Sequence, residues 1–272
     1  MAVFAIHCCS SSEQARAQSR RFDCVIDPSM TVKLGSPTAG LISEALVDRG
    51  DVVAEGQVVA RLESSVEAAT LELNLARAAS AARVEAQAAR LRLSKARMGR
   101  ARELYARNSF TLDKLDEQKA DMRVAEEDLA REKVELRLAE LEVVRSRAVL
   151  EQRTIRSPVA GVVGERKLSP GEFVHQDTFI MSVVHLDPLH VEAFLPVAMY
   201  PQVKVGATAM VLPDEPIGES YLATVSVVDR VFDPASATFG VRLLLPNPGN
   251  RLPGGHRCKL NFDDTARERE SK

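Results

Sequence analysis

The 272-residue sequence has few aromatic residues and no long apolar run. Phe, Tyr and Trp together make up 4% of the chain, and Trp is absent. Proteins that bind single-stranded nucleic acid stack bases on aromatic side chains, so this composition argues against that class. A helix that crosses a membrane needs roughly 18 consecutive apolar residues, and the sequence contains no such stretch.

Neither sign of charge predominates, and cysteine is scarce. The 36 Lys and Arg residues face 38 Asp and Glu residues, for a net charge of −2. This balance gives no general attraction to nucleic acid or to anionic membranes. The chain has no CxxC motif and no His at a zinc-ligand spacing from its four cysteines, which are Cys8, Cys9, Cys24 and Cys258. We therefore expect no metal site and no cofactor.

Motifs of common enzyme classes are also missing. The sequence contains no P-loop, no GxGxxG and no GxSxG, and its five His residues are scattered. The adjacent carboxylates Glu126, Glu127 and Asp128 would point in different directions on a helix. We predict that the protein has no catalytic residues and is not an enzyme.

Glycine and proline divide the chain into three parts. Between Gln57 and Ser157, Pro is absent and Gly99 is the only glycine. This window is rich in Ala, Leu, Arg, Glu and Lys, so it predicts helix. The flanking segments alternate Val-rich runs with turn residues, which predicts strands. The order is therefore strands, long helices, then strands.

Heptad spacing within the window predicts an antiparallel coiled-coil hairpin. A turn is expected at 107–111, where Ser or Thr can cap the next helix. In the second helix, apolar residues recur every seven positions at Leu115, Met122, Leu129, Leu136, Val143 and Leu150. In the first helix we predict a smaller seam of Ala68, Leu75, Ala82, Ala89, Ala96, Ala79, Ala86 and Leu93.

Charge supports pairing of the two helices. Residues 67–107 carry nine Lys or Arg and four Glu, whereas residues 112–151 carry eight Lys or Arg and twelve Asp or Glu. Opposite net charges favour antiparallel contact between the two. Each helix of about 40 residues would be roughly 60 Å long, which suggests a reaching function.

The flanking strands contain an internal repeat. Ser36–Ile42 (SPTAGLI) recurs 121 residues later as Ser157–Val163 (SPVAGVV). Neither half has enough apolar surface to fold alone, so we predict that the halves combine into one flattened barrel. Glycines with the same offset are expected to form structural turns, namely Gly40, Gly50, Gly161 and Gly171.

The paired half-motifs around a coiled-coil hairpin resemble the split biotinyl-lipoyl domain of periplasmic adaptors, also called membrane fusion proteins. Carrier domains of biotin and lipoyl enzymes present a modified Lys at a hairpin, but here 63–66 follow Leu62 without one. Segments 187–191, 233–242 and 252–255 are similar to those in adaptors of resistance-nodulation-division efflux pumps. The resemblance covers residues 22–262.

The resemblance implies an α+β fold with five parts. Residues 25–66 and 152–186 would form a split lipoyl-like β module, and the inserted α-helical coiled-coil hairpin would span 67–151. A small β-barrel domain would follow at 187–262. A flexible segment at 1–24 and a disordered charged tail at 263–272 would complete the chain.

The tip of the hairpin is the candidate partner-binding site. Arg100-x3-Leu104-x6-Thr111 resembles the Arg-Leu-Ser motif by which adaptors engage the outer-membrane channel, with Thr in place of Ser. The resemblance implies a periplasmic adaptor subunit of a tripartite efflux pump. It would bridge an inner-membrane transporter and an outer-membrane channel as a hexamer or dimer of trimers, for multidrug or metal export, without binding nucleic acid.

Three alternatives stay open at this point. The first is an adaptor of an ATP-driven exporter, the second is a biotin or lipoyl carrier-like subunit, and the third is a cytoplasmic coiled-coil scaffold. An intact-mass measurement would detect a modified Lys of the carrier class. Neighbouring genes would identify a transporter.

The expected location is the periplasm, in association with the inner membrane. No signal peptide is visible in residues 1–12, because no basic residue precedes the apolar run and no cleavage site follows it. Cys8 follows His7, which makes a poor lipid-attachment motif. Either the true start lies upstream or the anchor is absent.

Two cysteines are candidates for a disulfide. Cys24 begins a strand-like segment and Cys258 lies on the last predicted barrel strand. If the first and last strands adjoin, the two form a disulfide in an oxidising compartment; otherwise they are two unpaired strand cysteines.

Overall fold

The computed structural model describes residues 21–262, which form two compact units. The barrel unit contains residues 21–32, 160–162 and 183–262, and the arm unit contains residues 33–159 and 163–182. The predicted tail at 263–272 and residues 1–20 of the predicted flexible segment lie outside the described residues. In the described part of the chain, no helix is both long enough and apolar enough to span a membrane.

The secondary structure follows the predicted order of strands, helices and strands. The helices are α1 (Ser65–Ala78), α2 (Ala82–Ala106) and α3 (Leu112–Glu151), with one short 3-10 helix at Val197–Met199. The strands that precede them are β1 (Arg21–Gly35), β2 (Gly40–Ala45), β3 (Val52–Val53) and β4 (Val58–Leu62). The strands that follow are β5 (Thr154–Arg156), β6 (Gly161–Arg166), β7 (Phe173–Val174), β8 (Phe179–Pro196), β9 (Thr208–Pro213), β10 (Tyr221–Val228), β11 (Thr238–Leu245) and β12 (His256–Asn261).

The three helices form an arm in which α1 and α2 both pack against α3. The direction is antiparallel, because Asn74 contacts Ser146 and Lys95 contacts Glu126. The 40 residues of α3 give it a length of about 60 Å. The predicted seam of α3 faces its partners, since Leu115, Met122, Leu129, Leu136, Val143 and Leu150 are all buried or half-buried.

The predicted seam of the first helix is wrong. Its eight residues, from Ala68 to Ala96, are all exposed. The side chains that pack instead lie on the other side of the helices and include Leu71, Asn74, Val84, Leu91 and Met98. Larger apolar side chains bury more area than alanine does, and Val84, Leu91 and Met98 recur at a spacing of seven residues.

The first predicted helix of the hairpin is also broken into two helices, α1 and α2, which the heptad pattern did not predict. If the packed positions of α1 continued from Ala78 at spacings of three and four, they would include Glu85 and Arg92. The residues of α2 that pack are instead Val84 and Leu91. The break at residues 79–81 therefore shifts the contact pattern by one residue. The amide of Ser80 bonds to the carbonyl of Arg77, a tighter i to i−3 turn that ends α1.

The two half-motifs form one β module by exchanging strands. β2 of the first half pairs with β7 of the second, and β6 of the second half pairs with β3 of the first. The bonds are reciprocal. The Gly50 amide donates to the Val163 carbonyl and the Gly171 amide donates to the Ile42 carbonyl, each at 2.8 Å. The repeat offset of 121 residues thus appears as a pseudo-two-fold relation.

The four repeat glycines serve two purposes. Gly50 and Gly171 lie in turns with φ of 92° and 88°, a conformation that favours glycine. Gly40 and Gly161, in contrast, begin strands β2 and β6, so the prediction of turns at these two is wrong. They are needed for close approach. A Cβ on Gly161 would overlap the backbone carbonyl of Val184, whereas a Cβ on Gly40 would meet the movable end of the Arg153 side chain.

The barrel unit closes six strands around an apolar core. Its strand order is β1-β12-β9-β10-β11-β8, and β1 also pairs with β8. Closure leaves no free sheet edge. The core contains Phe239, Leu243 and Leu260, all essentially inaccessible to solvent, and the ring of Tyr200 meets that of Phe239 edge-on at 5.2 Å.

The boundaries predicted for the β module and the barrel need correction. Residues 25–32 belong to the barrel unit, because β1 pairs with β12 from Arg21 to Ile26. Without β1 the barrel would have two open edges. Cys24 lies directly opposite Cys258 with a Cα separation of 4.9 Å, and a disulfide joins the two.

Glycine substitutions test the reciprocal turns. An alanine Cβ at Gly50 or Gly171 would meet no atom within 4 Å, so any cost comes from the backbone. We expect Gly50→Ala and Gly171→Ala each to lower the free energy of unfolding by about 1–2 kcal/mol. Gly99→Ala is the matched control, because Gly99 lies within α2, its added Cβ also meets nothing, and alanine favours helix.

Thermal unfolding followed by circular dichroism is the measurement. Gly99→Ala should melt at or above the wild-type temperature. If Gly50→Ala and Gly171→Ala do the same, the turns do not require a left-handed conformation and the symmetry argument fails.

Candidate partner-binding site

The arm ends in a tight turn at the predicted position. Helix α2 ends at Ala106, and α3 begins at Leu112. Asn108 adopts a φ of 56°, a left-handed conformation that Asn tolerates better than most residues. The Ser109 amide donates to the Leu104 carbonyl at 2.9 Å. This bond satisfies a carbonyl at the end of α2 and reverses the chain.

Of the three predicted tip residues, Thr111 lies at the turn, and Arg100 and Leu104 lie within about two helical turns before it. Arg100 and Leu104 are both exposed on α2, and their i, i+4 spacing puts them on one face. Thr111 is the N-cap of α3, and its Oγ1 accepts a hydrogen bond from the Lys114 amide at 3.5 Å. The Thr111 hydroxyl therefore helps to start the helix and remains exposed beside the turn.

The tip also presents apolar side chains that the sequence argument missed. Tyr105 and Leu112 are exposed on either side of the turn. The ammonium of Lys114 lies 6.0 Å from the centre of the Phe110 ring. We call Arg100, Leu104, Tyr105, Leu112 and Thr111 the tip surface. Apolar residues on both sides of the predicted turn were the available signal, because the Arg-Leu-Thr spacing does not include them.

The base of the arm is fixed by Arg153, which sequence reasoning also missed. Its Nη2 lies 2.5 Å and its Nε 3.1 Å from Oε1 of Glu67 in the first turn of α1. Its Nη1 donates to the Ala39 carbonyl at 3.1 Å. Because both charged side chains are largely buried, removal of either one would leave the other charge buried and unpaired. One guanidinium thus joins both ends of the arm to the turn before β2.

A buried polar pair sets the alignment of α1 against α3. The Asn74 amide donates to Ser146 Oγ at 2.7 Å, and that hydroxyl donates to the Glu142 carbonyl at 2.8 Å. A polar pair in an apolar seam penalises other alignments, because slippage would leave the groups unpaired. The tip is therefore held at a defined distance from the module.

Titratable groups elsewhere on the barrel lie in ordinary surface pairs. Arg242 forms an ion pair with Glu192 at 2.7 Å. Partial burial lowers the pKa of His190, and the positive charge of Arg242 lowers it further. Within residues 21–262, no group of three or more His, Cys, Asp and Glu side chains is arranged to hold a metal ion.

Comparison with known proteins identifies relatives. A curated protein of Haemophilus influenzae, described only as uncharacterized, is 25% identical over 243 residues, and the match spans 88% of this chain and 56% of the relative. The chain thus spans little more than half the length of that relative.

Two solved structures are similar in fold. MacA from Actinobacillus actinomycetemcomitans superposes with a TM-score of 0.74 and 22% identity, covering 90% of this chain and 78% of that one. The membrane fusion protein Spr0693 from Streptococcus pneumoniae R6 superposes with a TM-score of 0.57 and 15% identity, covering 90% and 99%. At these identities the likeness shows the fold alone.

The family comparison covers both halves of the module and the arm between them. Residues 30–185 match the family model described as CzcB-like, barrel-sandwich hybrid domain, which is more than half of the chain. The match confirms the predicted resemblance to periplasmic adaptors, and the chain belongs to the CzcB-like barrel-sandwich hybrid domain family.

Proposed function

We propose that the protein is a non-enzymatic periplasmic adaptor of a tripartite efflux pump, which bridges an inner-membrane transporter and an outer-membrane channel. The observation that carries the proposal is the arm: about 60 Å of helix rises from a β module of the matched family and ends in an exposed cationic and apolar tip. The similarity of segments in the barrel favours a resistance-nodulation-division transporter.

The arm helices support assembly of several copies through a second apolar face. Leu138 follows the packed Leu136 by two residues, or about 200° around the helix, and it is half exposed. Val134 and Leu141 lie on the same exposed side. On α2, the exposed side carries Leu93 together with Ala82, Ala86, Ala89 and Ala96.

Two opposed seams on each helix favour a closed array. A helix with apolar stripes on both sides can pack against a helix of its own chain and a helix of the next copy. The basic α2 and the acidic α3 would then alternate around a tube of coiled-coil hairpins. The exposed alanines on α2 would allow close approach to the larger residues on α3.

The β module supports the same arrangement. Val52 and Phe173 occupy equivalent positions in the two half-motifs, and they are 68% and 52% exposed. Because the halves are related by pseudo-two-fold symmetry within one chain, the module presents an apolar side chain on each half. Head-to-tail contact between unlike faces generates rings when the rotation closes.

The disulfide supports a periplasmic location. Disulfides persist in oxidising compartments such as the periplasm and are rare in the cytosol. The bond between Cys24 and Cys258 joins the first and last strands of the barrel. A cytoplasmic scaffold would keep the two thiols reduced.

Arg100 of the tip surface is the residue whose substitution should stop export without unfolding the protein. Arg100 is exposed and forms no ion pair within residues 21–262. Its guanidinium offers five donors to the carbonyl groups of a partner's helical ends. We expect Arg100→Asp to abolish export, while the free energy of unfolding changes by less than about 0.5 kcal/mol.

The assay measures the drug and metal susceptibility of cells in which the gene is deleted and one of two variants is expressed in its place. Arg92→Asp is the matched control, because Arg92 is an exposed arginine of the same helix two turns from Arg100. Wild-type resistance with Arg100→Asp, or equal loss with both variants, would exclude a specific role of the tip.

Self-association is tested separately on the purified protein. We expect Leu138→Glu and Phe173→Glu each to raise the dissociation constant between copies at least tenfold, because losing the burial of one large apolar side chain costs roughly 1.5–3 kcal/mol. Val231→Glu is the control, since Val231 is 84% exposed but lies in the β10–β11 connection. Sedimentation velocity gives the result, and equal association of all three variants would contradict the proposed faces.

A further inference from the structure

A small polar cleft opens on the outer face of the barrel, far in sequence from the tip. Its volume is about 120 Å³, enough for one tetrahedral oxyanion. Three strands and one connection supply its walls. The lining residues are Arg21, Met210, Leu212, Ser220, Lys259 and Asn261.

Strand register explains why these side chains meet. Arg21 on β1 lies opposite Asn261 on β12, which in turn lies opposite Met210 on β9. Lys259 lies opposite Leu212 in the same way. Alternate residues of a strand point to the same side, and the intervening Cys258 and Leu260 are buried in the core. The lining side chains therefore all point outward.

Two cations and no carboxylate are among the residues that line the cleft. Lys259 donates to the carboxylate of Asp23, and this hydrogen bond holds the pKa of Asp23 below its ordinary value. Arg21 has no ion-pair partner within residues 21–262. Glu219, next to Ser220 in the chain, accepts a hydrogen bond from the Tyr221 hydroxyl at 3.1 Å and forms no ion pair with Arg21. Arg21 is therefore the lining cation that no carboxylate of residues 21–262 pairs.

The donors suit a phosphate group. A guanidinium presents a planar fork that matches phosphate oxygens, and the Ser220 hydroxyl and Asn261 amide supply neutral donors. The other wall is apolar, with Met210 and Leu212 in the cleft. Leu222 lies opposite Met210 and is 59% exposed. A free oxyanion would gain nothing from this apolar wall.

We propose that this cleft binds the phosphate of an anionic phospholipid headgroup, with the acyl-proximal part of the lipid against Leu212, Met210 and Leu222. Arg21 supplies the charge, Ser220 and Asn261 orient the phosphate, and the leucines contact the apolar part. The site is independent of the tip surface. A negative result for this cleft would therefore leave the adaptor function untouched, and the reverse also holds.

The test is co-sedimentation of the full chain with vesicles of phosphatidylcholine, with and without phosphatidylglycerol, at about 0.15 M salt. We expect binding to require phosphatidylglycerol. Arg21→Gln should weaken it roughly fivefold, the effect of one cation at an anionic surface. Arg230→Gln is the matched control. Arg230 is an exposed cation in the β10–β11 connection, whereas Ser220 precedes the other end of the eight-residue strand β10, about 26 Å away along the strand and beyond the screening length at this salt.

A second variant separates lipid from free anion. Leu222→Ser should weaken vesicle binding while leaving the binding of inorganic phosphate, measured by calorimetry, unchanged. Circular dichroism melting checks that each variant folds. Equal loss with Arg21→Gln and Arg230→Gln would show general charge attraction and overturn the site. Loss with Arg21→Gln but none with Leu222→Ser would overturn the lipid assignment, as would wild-type binding that is indifferent to phosphatidylglycerol.

Discussion

The reciprocal backbone bonds between the two half-motifs are the interaction on which the rest of the arm unit depends. Each half places its turn glycine so that its amide reaches a carbonyl on the other half's strand. Neither half can satisfy these groups alone, and a buried unpaired amide or carbonyl costs about 1–3 kcal/mol. The helical insertion must therefore return the chain to where it left.

That requirement explains the construction of the arm. Its outgoing part is α1 and α2, and its returning part is the single helix α3, so the two must match in length and alignment. Arg153 joins the two ends at the base through Glu67, and the Asn74–Ser146 bond fixes their alignment nearby. A rigid base and a fixed alignment are what a reaching element needs, because a small tilt at the base becomes a large displacement at a tip about 60 Å away.

The repeat made the β module predictable from sequence. An identical offset for strands and turn glycines required equal lengths in both halves. The pairs β2/β6 and β3/β7 follow that offset at both ends, and β4 and β8 begin at it. The returning helix was predictable for a similar reason, since its heptad run of large apolar residues continues without a break from Leu115 to Leu150. The domain boundary near residue 32 was not, because the pairing of β1 with β12 joins residues separated by more than 200 positions and leaves no local signal.

The outgoing part of the arm shows why its packed face was predicted wrongly. It carries two stripes at heptad spacing, one of Val84, Leu91 and Met98, and one of alanines with Leu93. Periodicity alone cannot say which stripe faces α3. The one-residue shift at 79–81 breaks the first stripe in the sequence, so the alanine stripe looked more continuous. At the tip, the motif spacing pointed to the correct turn but not to Tyr105 or Leu112.

The central claim is that one molecule bridges a protein complex in the inner membrane and a protein complex in the outer membrane. Site-specific photo-crosslinking in cells tests this claim most directly. A photoreactive residue at Leu104 of the tip would be combined with a second one at Leu244, an exposed position on barrel strand β11. The account predicts that a single chain crosslinks to an outer-membrane channel through position 104 and to an inner-membrane transporter through position 244. Crosslinks from both positions to proteins of the same membrane, or none at position 104 while position 244 reacts, would contradict it.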